Sequence, residues 1–262
     1  MPGNVNKQSA WDNFIQWSIS ETTETRSSGH APFEPDPLFS RMLQSTSNNV
    51  IITLMDVRIQ QYLYISPNCQ DITGWSAEEL MAGGVRFFFE KLHPDDVPAA
   101  IKFSELINAY FSKLPENEKS KYSGQWDYRV CNRNGVYTKY TQRDHALKYS
   151  TDGRIEQYLV FFSGIENYKT HESQHLRLTN GVENYLYKHD HKSGTTYMLE
   201  CLTKRELEII VLISKSFSLK EIAVKLGISF NTVKNHSNNI LKKLEAKDSM
   251  EAVNLVRVFG FM

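Results

Sequence analysis

Within residues 231–243 the chain sets out a row of hydrogen-bonding side chains: Asn231, Thr232, Lys234, Asn235, His236, Asn238, Asn239, Lys242 and Lys243. In a helix, positions three and four apart share a face. Amides and ammonium groups on one face have the chemistry that nucleic-acid reading requires. Asn bonds bidentately to adenine, Lys donates to guanine, and flanking Lys residues neutralise phosphates. Taken alone, such a row is also what a solvated helix face looks like. The elements around it must decide between the two.

Other chemistry-bearing residues make weaker cases. His171 and His175 have the four-residue spacing that would put two metal ligands on one helix face, and His189-Asp190-His191 lies nearby. No cysteine completes a set and the segment is polar, so surface histidines are expected and no metal. Cys69, Cys131 and Cys201 are scattered without metal-type spacing, which fits a reduced cytoplasmic protein. There is no phosphate loop, Gly-x-Ser-x-Gly, His-Glu-x-x-His, histidine-kinase block or phospho-receiver pattern. No catalytic residue and no enzyme activity are expected.

The segments that would position the polar row are well marked. Thr203 with Glu206 and Ser218 with Glu221 are capping boxes that open two helices. Leu207, Ile210, Val211 and Ile213 give the first its apolar face. The second is short and stops at Gly227, a residue suited to a left-handed cap. Ser229 then caps a third helix to about residue 245, with Val233, Ile240, Leu241 and Leu244 as its buried stripe. Asp248 or Ser249 starts a fourth, ended by Gly260. A short helix, a tight turn and a longer helix with a polar outer face predict a helix-turn-helix whose second helix enters the major groove. This favours DNA reading over a solvated face.

Residues 202–262 resemble the LuxR/GerE-type DNA-binding domain. The matching strings are Leu202-Thr203-Lys204-Arg205-Glu206, Lys220-Glu221-Ile222-Ala223, Leu226-Gly227-Ile228-Ser229, Thr232-Val233-Lys234-Asn235-His236, Asn239-Ile240-Leu241-Lys242-Lys243-Leu244 and Glu251-Ala252-Val253. The resemblance implies that Lys234, Asn235 and Asn238 face base edges. It puts Lys220, Thr232 and His236 near the phosphate backbone, where Lys242 is also expected, and makes the fourth helix a dimer contact. Three positions depart from the family pattern. Glycine is usual at Ser216, so the first turn is expected to be shaped differently. Arginine is common at Ser237 and Ser249, so phosphate binding is expected to be weaker.

Upstream, residues 50–54 and 62–65 predict strands, short helices follow, and residues 124–131, 136–147 and 155–164 predict a three-stranded meander with hairpin turns at Asn134-Gly135 and Asp152-Gly153. That order implies an α+β domain with an antiparallel sheet. Residues 46–166 resemble a PAS sensor domain through Tyr64-Ile65-Ser66-Pro67-Asn68, Thr73-Gly74-Trp75-Ser76-Ala77-Glu78-Glu79-Leu80, His93-Pro94-Asp95-Asp96 and Val160-Phe161-Phe162-Ser163-Gly164-Ile165. The resemblance implies five strands with flanking helices and a small ligand or partner between them. Trp75, Phe88, Phe103, Trp126 and Tyr128 are the candidate pocket residues, against the alternative that they are plain core. Cys69 stands in the wrong helix for flavin photochemistry. His93 belongs to a structural turn, and His145 is expected on an exposed strand position, so neither is a haem ligand. No cofactor is expected.

The 262 residues suit more than one domain, and 40% apolar with 23% charged residues is ordinary for a globular chain. Net charge is zero, so any nucleic-acid surface must be local. From Glu200 onward, ten Lys and Arg stand against seven Asp and Glu, a sign suited to DNA. No signal peptide or membrane-spanning run is expected. The expected organisation is an extension over 1–45 with two short helices and a Thr, Ser and Pro-rich stretch, the sensor over 46–166, a polar connector over 167–200 with one helix near 171–182, and a four-helix all-α reader over 201–262. The function expected is a sequence-specific, homodimeric regulator of double-stranded DNA, its sensor tuned by a small molecule or partner. The competing expectation is a sensory interaction module whose helix-turn-helix no longer reads.

Overall fold

The computed structural model describes residues 49–151, 153–165 and 173–261. The helices expected within residues 1–45, His171 and Asp152 lie outside the described residues.

The first domain begins with strands β1 (Val50–Asp56) and β2 (Gln61–Ile65). Helix α1 (Cys69–Thr73) ends on Gly74, whose φ of 79° closes it in the left-handed region. Helix α2 (Ala77–Lys91) starts at the Ser76 capping box: Ser76 Oγ accepts from the Glu79 amide at 3.2 Å, and the Ser76 amide donates to Glu79 at 2.9 Å. The His-Pro-Asp-Asp stretch makes a 3-10 turn into α3 (Val97–Phe111). That turn is pinned to the sheet, because the buried Asp96 carboxylate accepts from the Arg129 amide at 2.7 Å and pairs with its guanidinium. A single-turn helix, α4 (Glu116–Lys119), interrupts the expected loop. Strands β3 (Ser123–Cys131), β4 (Tyr137–Tyr149) and β5 (Ile155–Gly164) form the meander.

The sheet does not stop at the five expected strands. Strands β6 (Gln174–Thr179), β7 (Asn184–Asp190) and β8 (Thr195–Met198) extend it, giving the order β2-β1-β5-β4-β3-β6-β7-β8, antiparallel throughout. These strands occupy the segment expected to be a polar connector, and the helix expected near 171–182 is a strand over its described part. The reason is a period of two in which both sheet faces are covered. Leu176 and Leu178 pack under α3, while His175 and Arg177 point the other way and are also buried. His175 and His189 are therefore buried strand residues, not surface histidines on a helix. Among the described residues, no three His, Cys, Asp or Glu side chains cluster as metal ligands.

Four helices follow: α5 (Lys204–Ser214), α6 (Leu219–Leu226), α7 (Phe230–Leu244) and α8 (Ser249–Val258). Both expected capping boxes form, Gly227 takes the left-handed cap at φ 63°, and Asp248 caps α8. The apolar core of these helices, including Ile209, Ile222, Val233, Ile240 and Val256, is continuous with Ile165, Leu186 and Leu199 from the sheet side. Among the described residues, no helix is long and apolar enough to cross a membrane.

Candidate nucleic-acid interface and sensor cavity

Helix α7 presents two distinct faces. Val233, Ser237, Ile240 and Leu244 are buried, while Asn231, Thr232, Lys234, Asn235, Asn238, Asn239 and Lys242 are exposed and His236 is half-buried. Lys234, Asn235, Asn238 and Lys242 thus fall together on the outer surface, with Lys220 exposed at the start of α6. Among the described residues, no carboxylate pairs with Lys220, Lys234 or Lys242. Ser229 holds the helix entrance by accepting from the Thr232 amide at 3.0 Å, and the two hydroxyls meet at 2.8 Å. The Thr232 hydroxyl is therefore part of the cap as well as of the surface.

Lys243 separates from the row. Its ammonium reaches back 2.8 Å to Glu206, which is almost wholly buried at the start of α5. Burial opposes ionisation of Glu206, but Lys243 and the Thr203 backbone outweigh it and hold the carboxyl below its ordinary range. The departures from the family pattern also gain a physical meaning. Ser216 stands in a left-handed turn, at φ 66°, where a non-glycine residue bears strain. Ser237 lies on the inner face, so the missing cation there is missing from packing, not from the exposed surface.

In the first domain, a small apolar cleft of about 60 Å³ opens between β1, β2, α2 and the sheet. Trp75, Phe88 and Tyr128 line it. Phe103 and Trp126 do not; they pack edge to face between α3 and the sheet with ring centroids 6.3 Å apart, which makes them core. Ile51, Thr53, Tyr62 and Lys91 line the cleft without having stood out in the sequence. Apolar or isolated polar residues carry no motif, and only the fold gathers them. Cys69 is fully buried and burial pushes its thiol up to about 11, so it is not a reactive thiolate.

Residues 200–256 match the bacterial regulatory proteins of the luxR family, and residues 62–162 match the PAS fold. The chain is a PAS domain joined to a LuxR-type helix-turn-helix domain. The oxygen regulatory protein NreC of Staphylococcus haemolyticus is 38% identical over 117 residues, covering 42% of this chain and 53% of that protein. The response regulator VraR of Staphylococcus aureus is 50% identical over 56 residues, covering 21% of this chain and 27% of that one. The chain thus spans about half the length of NreC and about a quarter of VraR. Among solved structures, the Vibrio cholera VqmA–ligand–DNA complex aligns over 88% of this chain and 90% of its own at 14% identity, with a TM-score of 0.32. The N-terminal domain of a diguanylate cyclase with a PAS/PAC sensor from Marinobacter aquaeolei aligns over 45% and 96% at 19% identity, with a TM-score of 0.37.

The LuxR-type domain sits directly on the outer face of the PAS sheet. Gln125 of β3 donates to the Val258 carbonyl at 2.6 Å, and Arg177, its register partner on β6, donates to the carbonyls of Phe259 and Gly260. These are the carbonyls that the end of α8 leaves without helical partners. The His175 ring packs 5.9 Å from Phe259, and the Arg177 guanidinium stacks 4.5 Å over Phe261. At the far end of α7, Lys188 and Tyr197 of the added strands both hold Glu245 at 2.8 Å. The added strands therefore touch the PAS domain on one side and the end of α7 on the other.

Proposed function

We propose that this protein is a sequence-specific DNA-binding transcription regulator whose PAS domain responds to a small molecule and adjusts DNA binding through the sheet on which the LuxR-type domain rests. The observation that carries the reading is the outer face of α7, where Lys234, Asn235, Asn238 and Lys242 are exposed with no competing carboxylate among the described residues. In this reading Lys234, Asn235 and Asn238 meet base edges, and Lys220, Thr232, His236 and Lys242 meet phosphates. The sensor spans 46–166 and the reader 201–262, with the strands of the 167–200 segment coupling them. Dimerisation uses the outer side of α8, where Met250 is 67% exposed and Arg257, two turns on along the same face, is also exposed.

Gel-shift and footprinting assays of the full chain with genomic fragments, across a range of salt, test the proposal. A discrete protected site of dyad symmetry is expected. Binding that is indifferent to sequence at every salt concentration overturns it.

A further inference from the structure

We infer that Phe230 is a further specificity-determining residue of the reading face, its ring packed against the 5-methyl group of a thymine in the major groove. The inference rests on the DNA-reading part of the proposed function and names one base that the face selects.

Phe230 is the first residue of α7, directly after the Ser229 cap. It is 41% exposed, and it belongs neither to the apolar core of the helices nor to the half-buried residues packed around that core. A single exposed apolar side chain is ordinary on a protein surface. The position of this one is not. Residues four apart on a helix form a continuous ridge. Phe230, Lys234, Asn238 and Lys242 stand at that spacing, and all are exposed. The ring therefore heads the same ridge that carries two of the proposed base contacts. It also sits at the N-terminal end of α7, the end that a helix-turn-helix brings to the base edges.

The chemistry then narrows to one group. A phenyl ring has no hydrogen-bonding atom, so it does not read the polar atoms of a base edge. In the major groove of B-DNA, the apolar feature that a base pair presents is the 5-methyl of thymine. Four residues of helix rise about 6 Å. Base pairs are spaced about 3.4 Å apart, so the thymine lies within about two base steps of the pair met by Lys234. Val224 gives the contrast. It is 85% exposed and also outside the core, but it lies on α6, one turn from Lys220 and on the side assigned to phosphate. An apolar group there meets the backbone, which carries no base identity.

The test uses the full chain on a site recovered by footprinting, with each thymine replaced in turn by deoxyuridine. That replacement removes the methyl and keeps the pairing. One thymine in each half-site is expected at which it weakens binding about fourfold, the worth of one methyl-sized apolar contact. Phe230→Ala should weaken binding to the parent site by at least that factor and make the protein indifferent to deoxyuridine at that position. Phe230→Leu should restore the dependence in part, and Val224→Ala should leave the whole profile unchanged. The profile of the parent protein needs no variant, so its indifference to every deoxyuridine overturns the inference. The inference also falls if every methyl dependence survives Phe230→Ala, or if Val224→Ala removes it instead. Sequence-dependent binding without methyl dependence defeats this inference alone. Binding indifferent to sequence at every salt concentration defeats the proposed function and the inference with it.

Discussion

The side-chain amide of Gln125, in the middle of the sensor sheet, donates at 2.6 Å to the backbone carbonyl of Val258, the last residue of the last helix. The next residue in the strand, Trp126, points to the opposite face and donates through its indole nitrogen to buried Asp144 at 2.9 Å. Two adjacent residues of one strand thus touch the reader on one side and the sensor core on the other. A change in the sheet's curvature at this point is felt by both.

Gln125→Ala should loosen the docking of the reader. It removes the bond to Val258 and leaves a buried carbonyl short of a donor, which costs about 1–3 kcal/mol. Hydrogen exchange is the direct readout. The amides of Phe259 and Phe261 should exchange faster, while those of Phe103 and Leu178 keep their protection. Unchanged exchange at Phe259 would mean that the contact does not hold the end of α8.

The reading face predicts two kinds of loss. Asn235→Ala should cost about 1–3 kcal/mol at one base position and little on sites already altered there. Lys220→Ala should weaken all sequences alike and lower the salt slope by about one. Titrations on an operator and its single-base variants at several salt concentrations separate the two. A uniform loss for Asn235→Ala would remove it from base reading.

Ser216→Gly should stabilise the protein. Ser216 holds φ at 66°, a region that costs a non-glycine residue about 1–2 kcal/mol. The added freedom of glycine in the unfolded chain takes back part of that gain. A net gain of roughly 0.5–1 kcal/mol should appear as a higher denaturation midpoint with DNA binding intact. Ser216→Val, which adds a β-branch at the same angle, should move the midpoint the other way.

Asp144 predicts a pH dependence of stability. It is buried among Tyr62, Tyr128 and Tyr158, bonded to Trp126 and Gln142, and burial pushes its carboxyl from an ordinary 3.8 up to about 6. The folded state then holds the proton more tightly than the unfolded chain does. Its contribution is most favourable below the unfolded value and is lost as pH rises through the folded one, by an amount on the order of 3 kcal/mol. Asp144→Asn, with the Gln142 amide turned over to suit, should gain on the parent between about pH 4 and 6. Urea midpoints across that range check it, and a difference that does not vary with pH would contradict the assignment.

The helix-turn-helix was legible because its stops and starts are local. Thr203 with Glu206, Ser218 with Glu221 and Gly227 act within one turn of their own helices. The first five strands were legible from their turns. Strands β6 to β8 were not, because the signal for a strand there depends on what covers it. His175 and Arg177 look like solvent-facing residues until the end of α8 is laid over them. Ile51 and Tyr62 are silent for a similar reason: each is ordinary in its own element, and only the fold brings them to one cleft. Phe103 and Trp126 show the converse. Their residue types suit a pocket, but their positions between α3 and the sheet make them filler.

The shared core has a practical consequence for chimeras. A graft that cuts at Leu202 would carry the reading helices away from Leu186 and Leu199 and would lay Phe259 bare, together with the carbonyls that Arg177 and Gln125 now satisfy. Such a graft would tend to aggregate rather than report on its operator. A cut placed before β6 keeps Leu186, Leu199 and Arg177 with the helices they serve, at the price of an open strand edge where β3 used to be. The transferable unit in this chain is thus wider than its recognisable motif.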